Sequence, residues 1–434
     1  MTVLGARAGL VPQEIAEAII LPDGYADLKG VVFPACDWLR ANAPIAQAEV
    51  EGFDRVWLIS KHAHNKDVLR DAATFLSGTE NFMLTTTAGD DFLKSMFDGS
   101  ASPIDNLTPM DAPDHMDHRM AQAHAYSIEA IRKYEPRFRE LAAEKVSALL
   151  ATGGECDAVA FLSRDYPLQV VMEMISVPEE DFPLMLKMTQ ETFGGDDPEI
   201  VKDSAHEMSP ETTARLWMEA VQGFYDYFEV MREDRLAHPR DDLTTEIVTG
   251  CLKNGELMTP KRQNHMVSSV ALAGHDTVSS AISGGIHGLA THPEQLALVK
   301  SDLTLIPGLV DEALRWSTPA RHFMRTASRD VDFHGHRIKA GDRVMCLFIS
   351  ANFDEEVFSN PYTFDVTRRP NPQLSFSFGP HICLGLHIAR LQMRQLFDEF
   401  VARIGTLELA GPPKFKMGNF VTGLKSLPIR FTAA

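Results

Sequence analysis

Phe376-Ser377-Phe378-Gly379-Pro380-His381-Ile382-Cys383-Leu384-Gly385 decides how this 434-residue chain is read. The stretch sets one cysteine in a tight loop that opens a helix. Pro380 and the flanking Gly379 and Gly385 forbid regular structure around Cys383 and let backbone approach something flat. Beyond the loop, Ala389, Met393, Leu396, Phe397, Phe400 and Ile404 recur at the three-and-four spacing of a buried amphipathic helix. Cys383 is therefore predicted at a helix N-terminus, where the dipole and unpaired N–H groups favour a thiolate. A thiolate held by backbone N–H groups suits an iron ligand that must donate electron density yet resist protonation. A lone cysteine by itself reads more simply as a buried core residue. The residues around this one argue otherwise.

Phe376, Gly379, His381, Cys383 and Gly385 form the pattern F-x-x-G-x-H-x-C-x-G, and in it the chain resembles the cytochrome P450 family. Three further motifs precede it in the family's order. Ala273-Gly274-His275-Asp276-Thr277 is similar to the oxygen-activating helix, Glu312-Ala313-Leu314-Arg315 to the E-x-x-R pair, and Phe364-Asp365-Val366-Thr367-Arg368 to the segment supplying a third member. Ile20–Asp27, Leu184–Gln190, Phe224–Phe228 and Ser426–Phe431 resemble the bacterial branch that oxidises alpha-terpineol, a likeness running from near residue 10 to the C-terminus.

The resemblance implies a mainly α fold with a minor β-rich region and haem b (iron protoporphyrin IX) as cofactor. Cys383 would be the iron ligand, with Phe376, Gly385 and Ala273 against the haem. His115 and Arg119, one helical turn apart, would serve the propionates together with Arg325 and His381. Glu312, Arg315 and Arg368 would form a buried ion network on the cysteine side. Two departures from the common pattern are visible: Ser377 stands where many relatives have glycine, and Gln392 where glutamate is frequent.

The chemistry of the oxygen-activating helix follows from its residue types. Thr259 to Ala290 reads as one long helix with a small-residue face. Ala273 and Gly274 remove bulk where a flat cofactor and a diatomic need room. Gly274 and Thr277 also weaken regular hydrogen bonding, since a Thr hydroxyl competes for helix carbonyls. Splitting an O–O bond requires two protons, and the adjacent acid and alcohol of Asp276 and Thr277 can relay them through water. That pair favours O2 reduced by partner proteins over a peroxide-driven oxygenase. A haem sensor would not require the pair.

Composition narrows the class. Forty-one Lys and Arg against 60 Asp and Glu leave a net charge of −19, which argues against nucleic acid as a partner. Five widely spaced cysteines contain no C-x-x-C, so no zinc site or disulfide framework is indicated. Hydrophobic content of 44% suits a globular protein, and no N-terminal run of about 20 apolar residues marks an anchor. The expectation is one cooperative unit spanning 1–434, monomeric and cytoplasmic, free of the membrane, with β-rich elements near 45–62, 319–350 and 405–434.

Helices are also predicted over Ser127–Leu150, Glu179–Gln190 and Glu211–Leu236. The polar stretch from Phe193 to Pro210 reads as a mobile connection over the pocket. Val331–Ile338 and Arg343–Ile349 read as the arms of a hairpin around Ala340-Gly341-Asp342. Family position makes Phe82, Val270, Gly274, Phe323 and Val421 candidates for contact with a small hydrophobic substrate, with Phe92 and Phe97 nearby. The substrate would be a small terpenoid or an aromatic hydrocarbon. Electrons would come from a two-iron ferredoxin and its flavoprotein reductase, steered by Arg390, Arg394, Arg132 and Lys133.

Overall fold

The computed structural model describes residues 9–434 apart from 103, 194–196, 198 and 200–209. Nine of its helices matter for the site. They are α1 (Thr87–Met96), α2 (Asp114–Gln122), α3 (Glu135–Leu150), α4 (Asp165–Met174), α5 (Phe182–Phe193), α6 (Pro210–Ala237), α7 (Pro260–Thr291), α8 (Ile306–Ser317) and α9 (Leu386–Arg403).

The long apolar pattern around Ala273 is α7. Its start matches its chemistry: Pro260 occupies the first turn, and the Thr259 hydroxyl accepts from the Arg262 N–H. Most of α7 is buried, because α4, α6, α8 and α9 all pack on it. The predicted helix Ser127–Leu150 is broken instead. A short helix, Ile128–Ile131, and a tight turn, Arg132–Tyr134, precede α3. Pro136 is the reason: mid-helix, its ring would clash with the Arg132 carbonyl, whereas in the first turn of α3 its missing N–H costs nothing. The predicted connection 193–210 lies largely outside the described residues.

Twelve short strands follow in order: β1 (Ile45–Ala48), β2 (Val56–Ile59), β3 (Phe75–Leu76), β4 (Glu155–Asp157), β5 (His322–Ala327), β6 (Val331–Phe333), β7 (His336–Ile338), β8 (Arg343–Leu347), β9 (Ile404–Leu409), β10 (Lys414–Phe415), β11 (Leu424–Ser426) and β12 (Pro428–Ala433). The main sheet runs β1-β2-β8-β5-β3. Here the predicted hairpin needs correction. Val331–Phe333 pairs with His336–Ile338, and His334 and Gly335, both at positive φ (51° and 82°), form the turn. Arg343–Leu347 instead lies between β2, parallel, and β5, antiparallel. All five of its residues are buried, as a central strand requires.

β10 and β11 pair as a small hairpin, which the chain folds back over the middle of α7. That hairpin and β5 meet at an isolated bridge between Ala320 and Val421. No helix among the described residues is long and apolar enough to cross a membrane.

Candidate functional site

The cysteine loop is held at both ends. The Cys383 N–H donates to the Phe376 carbonyl at 2.8 Å, and Gly385 is the N-cap of α9. Cys383 thus precedes α9 by three residues, and one backbone N–H, that of Gly385, bonds toward its sulfur. Gly379 has φ +71°, and a Cβ there would lie 2.6 Å from the Leu69 carbonyl oxygen, so only glycine fits. Ser377 also sits in the left-handed region, at φ 63°, and its buried hydroxyl has no partner. Cys383 is solvent-accessible although protein surrounds it, so its sulfur faces an interior opening rather than the outer surface. That burial pushes the thiol up, against the opposite pull of the Gly385 N–H, Arg119 and Arg390.

A cluster of basic side chains lies beside the loop. The His115 and His381 rings are 4.0 Å apart, centroid to centroid, which joins α2 to the cysteine loop. Burial and the charges of Arg119 and Arg325 lower His115 to about 4; burial, Arg325, His115 and Arg119 lower His381 to about 2. Both rings are neutral at pH 7. Burial likewise lowers Arg119 and Arg325. Among the described residues neither guanidinium has a carboxylate within ion-pair reach, and the buried His115 Nε2 has no partner. A buried guanidinium, Arg325, and a half-buried one, Arg119, both without an ion-pair partner, call for anions. Two propionates beside an axial cysteine meet that requirement, so these residues fit haem b. Ser77, which the sequence reading did not single out, joins them through its hydroxyl, 3.2 Å from His381 Nε2.

On α7, Ala273 is exposed within an otherwise buried run, and Thr277 one turn on is partly so. The Thr277 hydroxyl donates to the Ala273 carbonyl at 2.8 Å. That is the competing bond the sequence suggested, yet α7 stays continuous through it. Asp276 is buried; one oxygen meets Lys416 Nζ at 3.3 Å and the other has no protein partner. Gly274 departs from its predicted role. A Cβ there would lie 2.7 Å from Val171 Cγ2 on α4, so this glycine serves helix packing and points away from Ala273's accessible side.

Glu312, Arg315 and Arg368 form a satisfied buried network. Glu312 accepts from Arg315 Nη2 and Nε at 2.7 and 2.8 Å, from Arg368 Nε at 3.2 Å and from Asn371 Nδ2 at 3.1 Å. The Asp365 N–H adds a bond at 3.0 Å. Arg315 also donates to the carbonyls of Asn352 and Pro361, both at 2.9 Å. Asn371 leads directly into the cysteine loop, and Ser375 ties that segment to the Leu314 carbonyl at 2.7 Å.

The apolar candidates gather through backbone bonds. Met324 N–H donates to the Phe82 carbonyl at 2.8 Å, and the Ala320–Val421 bridge brings the hairpin alongside β5. Phe82, Phe323 and Phe420 then form an aromatic cluster with centroid separations of 5.3–6.4 Å, with Phe92 and Phe97 packed on the same group. Phe420 was missed; an aromatic between Gly418 and Gly423 was the available signal. Val270 is partly buried against the main core. His322, also missed, bridges three segments: its Nε2 accepts from the Leu84 N–H at 3.0 Å and its Nδ1 donates to the Asn419 carbonyl at 2.9 Å.

The predicted basic patch is partly spent on internal contacts. Arg390 pairs with Asp311 at 2.9 Å and lies over the Phe376 ring at 4.8 Å. Lys133 is paired with Asp241. Met116 and Met120 on α2 and Ile382 in the cysteine loop are exposed, as are Arg132 and Arg394, the latter 3.9 Å from both Glu135 and Asp398.

Comparison with known proteins gives a consistent picture. The family model "Cytochrome P450" matches residues 88–304 and 299–422. Cytochrome P450-terp from Pseudomonas sp. is 43% identical over 99% of this chain and 100% of its own length. A steroid C26-monooxygenase from Mycolicibacterium smegmatis is 30% identical over 91% of this chain and 90% of its own. The crystal structure of CYP108D1 from Novosphingobium aromaticivorans superposes with a TM-score of 0.90 at 36% identity, covering 98% of this chain and 100% of that one. A Mycobacterium marinum cytochrome P450 in complex with pseudoionone superposes with a TM-score of 0.83 at 26% identity, covering 94% and 97%.

Proposed function

The chain belongs to the cytochrome P450 family of haem-thiolate monooxygenases, and from that premise we propose that it hydroxylates a small terpenoid or aromatic hydrocarbon, drawing electrons from a two-iron ferredoxin. The observation that carries the substrate class is the Phe82–Phe323–Phe420 cluster, which offers ring faces and edges to a compact apolar molecule. The likeness to P450-terp and to a relative crystallised with pseudoionone supports a terpenoid.

Bound haem supplies the oxygen activation; the chain supplies its position and its protons. Cys383 Sγ would hold the haem iron; the Gly385 N–H bonds toward that sulfur, and the bond from the Cys383 N–H to the Phe376 carbonyl fixes the loop. Arg119 and Arg325 would neutralise the propionates, and the neutral His115 and His381 would donate N–H groups to them. One atom of O2 enters the substrate and the other leaves as water, so two protons must arrive. The unpartnered oxygen of Asp276 and the Thr277 hydroxyl, adjacent on α7, would pass those protons through water. The aromatic cluster keeps bulk water away. Exposed Met116, Met120 and Ile382 supply apolar surface, and exposed Arg132 and Arg394 supply positive charge, for docking the ferredoxin.

The test is Thr277→Ala in the haem-loaded enzyme with a ferredoxin system. It should keep haem and the substrate-induced spin shift while electrons divert to peroxide. Product still formed per NADH as in the parent would remove Thr277 from the relay.

A further inference from the structure

Asp276 is held from outside α7. Lys416 Nζ, 3.3 Å from one carboxylate oxygen, follows β10, and its side chain is only 18% exposed while that of Asp276 is 5% exposed. The hairpin carrying Lys416 is seated on the same face of α7 one turn further on. Ser280 Oγ donates to the Thr422 carbonyl at 2.9 Å, and a Cβ on Gly423 would come within 2.2 Å of that hydroxyl. Asp276 and Ser280 are four residues apart, so one face of α7 carries both the acid and the seat of the hairpin. Across the hairpin the Lys416 N–H donates to the Gly423 carbonyl at 2.9 Å, and Thr422 Oγ1 donates to the Lys416 carbonyl at 3.0 Å.

The same hairpin is gripped from its other side by Asp197, in the chain beyond α5. Its carboxylate, fully buried, meets Lys425 Nζ at 2.9 and 3.1 Å and accepts from the Met417 N–H at 3.0 Å. Burial alone would raise Asp197; the bonds from Lys425, Met417 and Glu199 outweigh it and hold the carboxyl below its usual range. Lys416 and Met417 are adjacent. One carboxylate therefore fixes the residue next to the one that fixes the other.

We propose that the β10–β11 hairpin is a positioning device for proton delivery, in which Lys416 fixes one oxygen of Asp276 so that the other stays unpartnered and available to the relay, and Asp197 sets how firmly the hairpin holds Lys416. The inference rests on Asp276 as relay acid. Lys416 acts through Asp276 and is a positioning residue. A buried carboxylate with one oxygen tied and one unpartnered is a one-sided proton carrier; untied, it rotates, and its partners change. A misplaced catalytic group can cost ~10²-fold, and loss of a single tether costs part of that.

The experiment compares Lys416→Met, Lys416→Gln, Lys416→Arg and Asp197→Asn with Asp276→Asn, all in the full haem-loaded chain. Lys416→Met and Lys416→Gln should cut coupled turnover about tenfold, raise peroxide yield and raise the solvent isotope effect, with haem content and spin shift as in the parent. Lys416→Arg should restore most of the coupling, because it keeps the cation. Asp197→Asn should give the same signature in smaller measure and speed hydrogen exchange at the Met417 amide, a readout independent of turnover. On an Asp276→Asn background Lys416→Met should add nothing. If Asp276→Asn uncouples while both neutral Lys416 variants stay coupled, the positioning role is wrong and the relay stands. If Asp276→Asn itself stays coupled, the relay falls and this inference with it.

Discussion

Replacing Glu312 by glutamine is the perturbation whose size can be worked most directly from the structure. Glu312 is fully buried and accepts from five donor groups, three of them on two guanidiniums. The amide keeps the shape but removes the charge and turns two acceptor sites into donors facing donors. Arg315 is fully buried as well, so its charge is left without compensation. Breaking a buried pair from one side costs about 3–5 kcal/mol. Unfolding entropy of about 2 cal/mol/K per residue scales to about 0.9 kcal/mol/K for this chain, so Tm should fall by about 3–6 °C. Haem incorporation should suffer more than stability, because Asn371 carries the network into the cysteine loop. The assay is thermal unfolding together with haem content per protein. Glu312→Gln melting within 1 °C of the parent and binding a full complement of haem would refute the reasoning.

Ser377→Gly should stabilise the protein by about 1 kcal/mol, since it removes a left-handed strain and an orphaned hydroxyl; denaturant midpoints of parent and variant check this. His322, lowered to about 3 chiefly by burial, makes stability pH-dependent. Its folded value lies below the ordinary 6.5, so the unfolded state binds the proton first. Stability should therefore be lost as pH falls from about 6.5 toward 3, by a few kcal/mol in all. His322→Gln, which can still accept from Leu84, should flatten that part of the profile in denaturant titrations across pH. Arg394→Glu with Arg132→Glu should slow ferredoxin-supported reduction several-fold at low salt and much less at high salt, measured by stopped flow.

How much of this was legible beforehand depended on how local each signal is. The cysteine loop, α7 and the Glu312 network are written in short motifs whose spacing maps onto one turn or one helix face. The break before α3 was legible too, in Pro136, had its ring been weighed against the helical pattern. β8 was not: a fully buried run looks the same whichever strand lies beside it, and a parallel partner almost 290 residues away leaves no local trace. Gly274 misled for a related reason. Missing bulk in a helix says that something comes close, and only the packing of α4 says that it is Val171. Lys416, His322 and Phe420 act across long sequence separations, as does Arg390, whose charge is turned inward on Asp311. Such pairings are set by topology, and no residue pattern near either partner announces them.

The measurement that bears most directly on the whole account is the absorption spectrum of the dithionite-reduced protein under carbon monoxide. Cys383 as thiolate donor predicts a strongly red-shifted Soret band, abolished in Cys383→His while Arg119 and Arg325 still retain the haem. An unshifted haem-protein band from the parent would contradict thiolate ligation at Cys383 and the chemistry built on it.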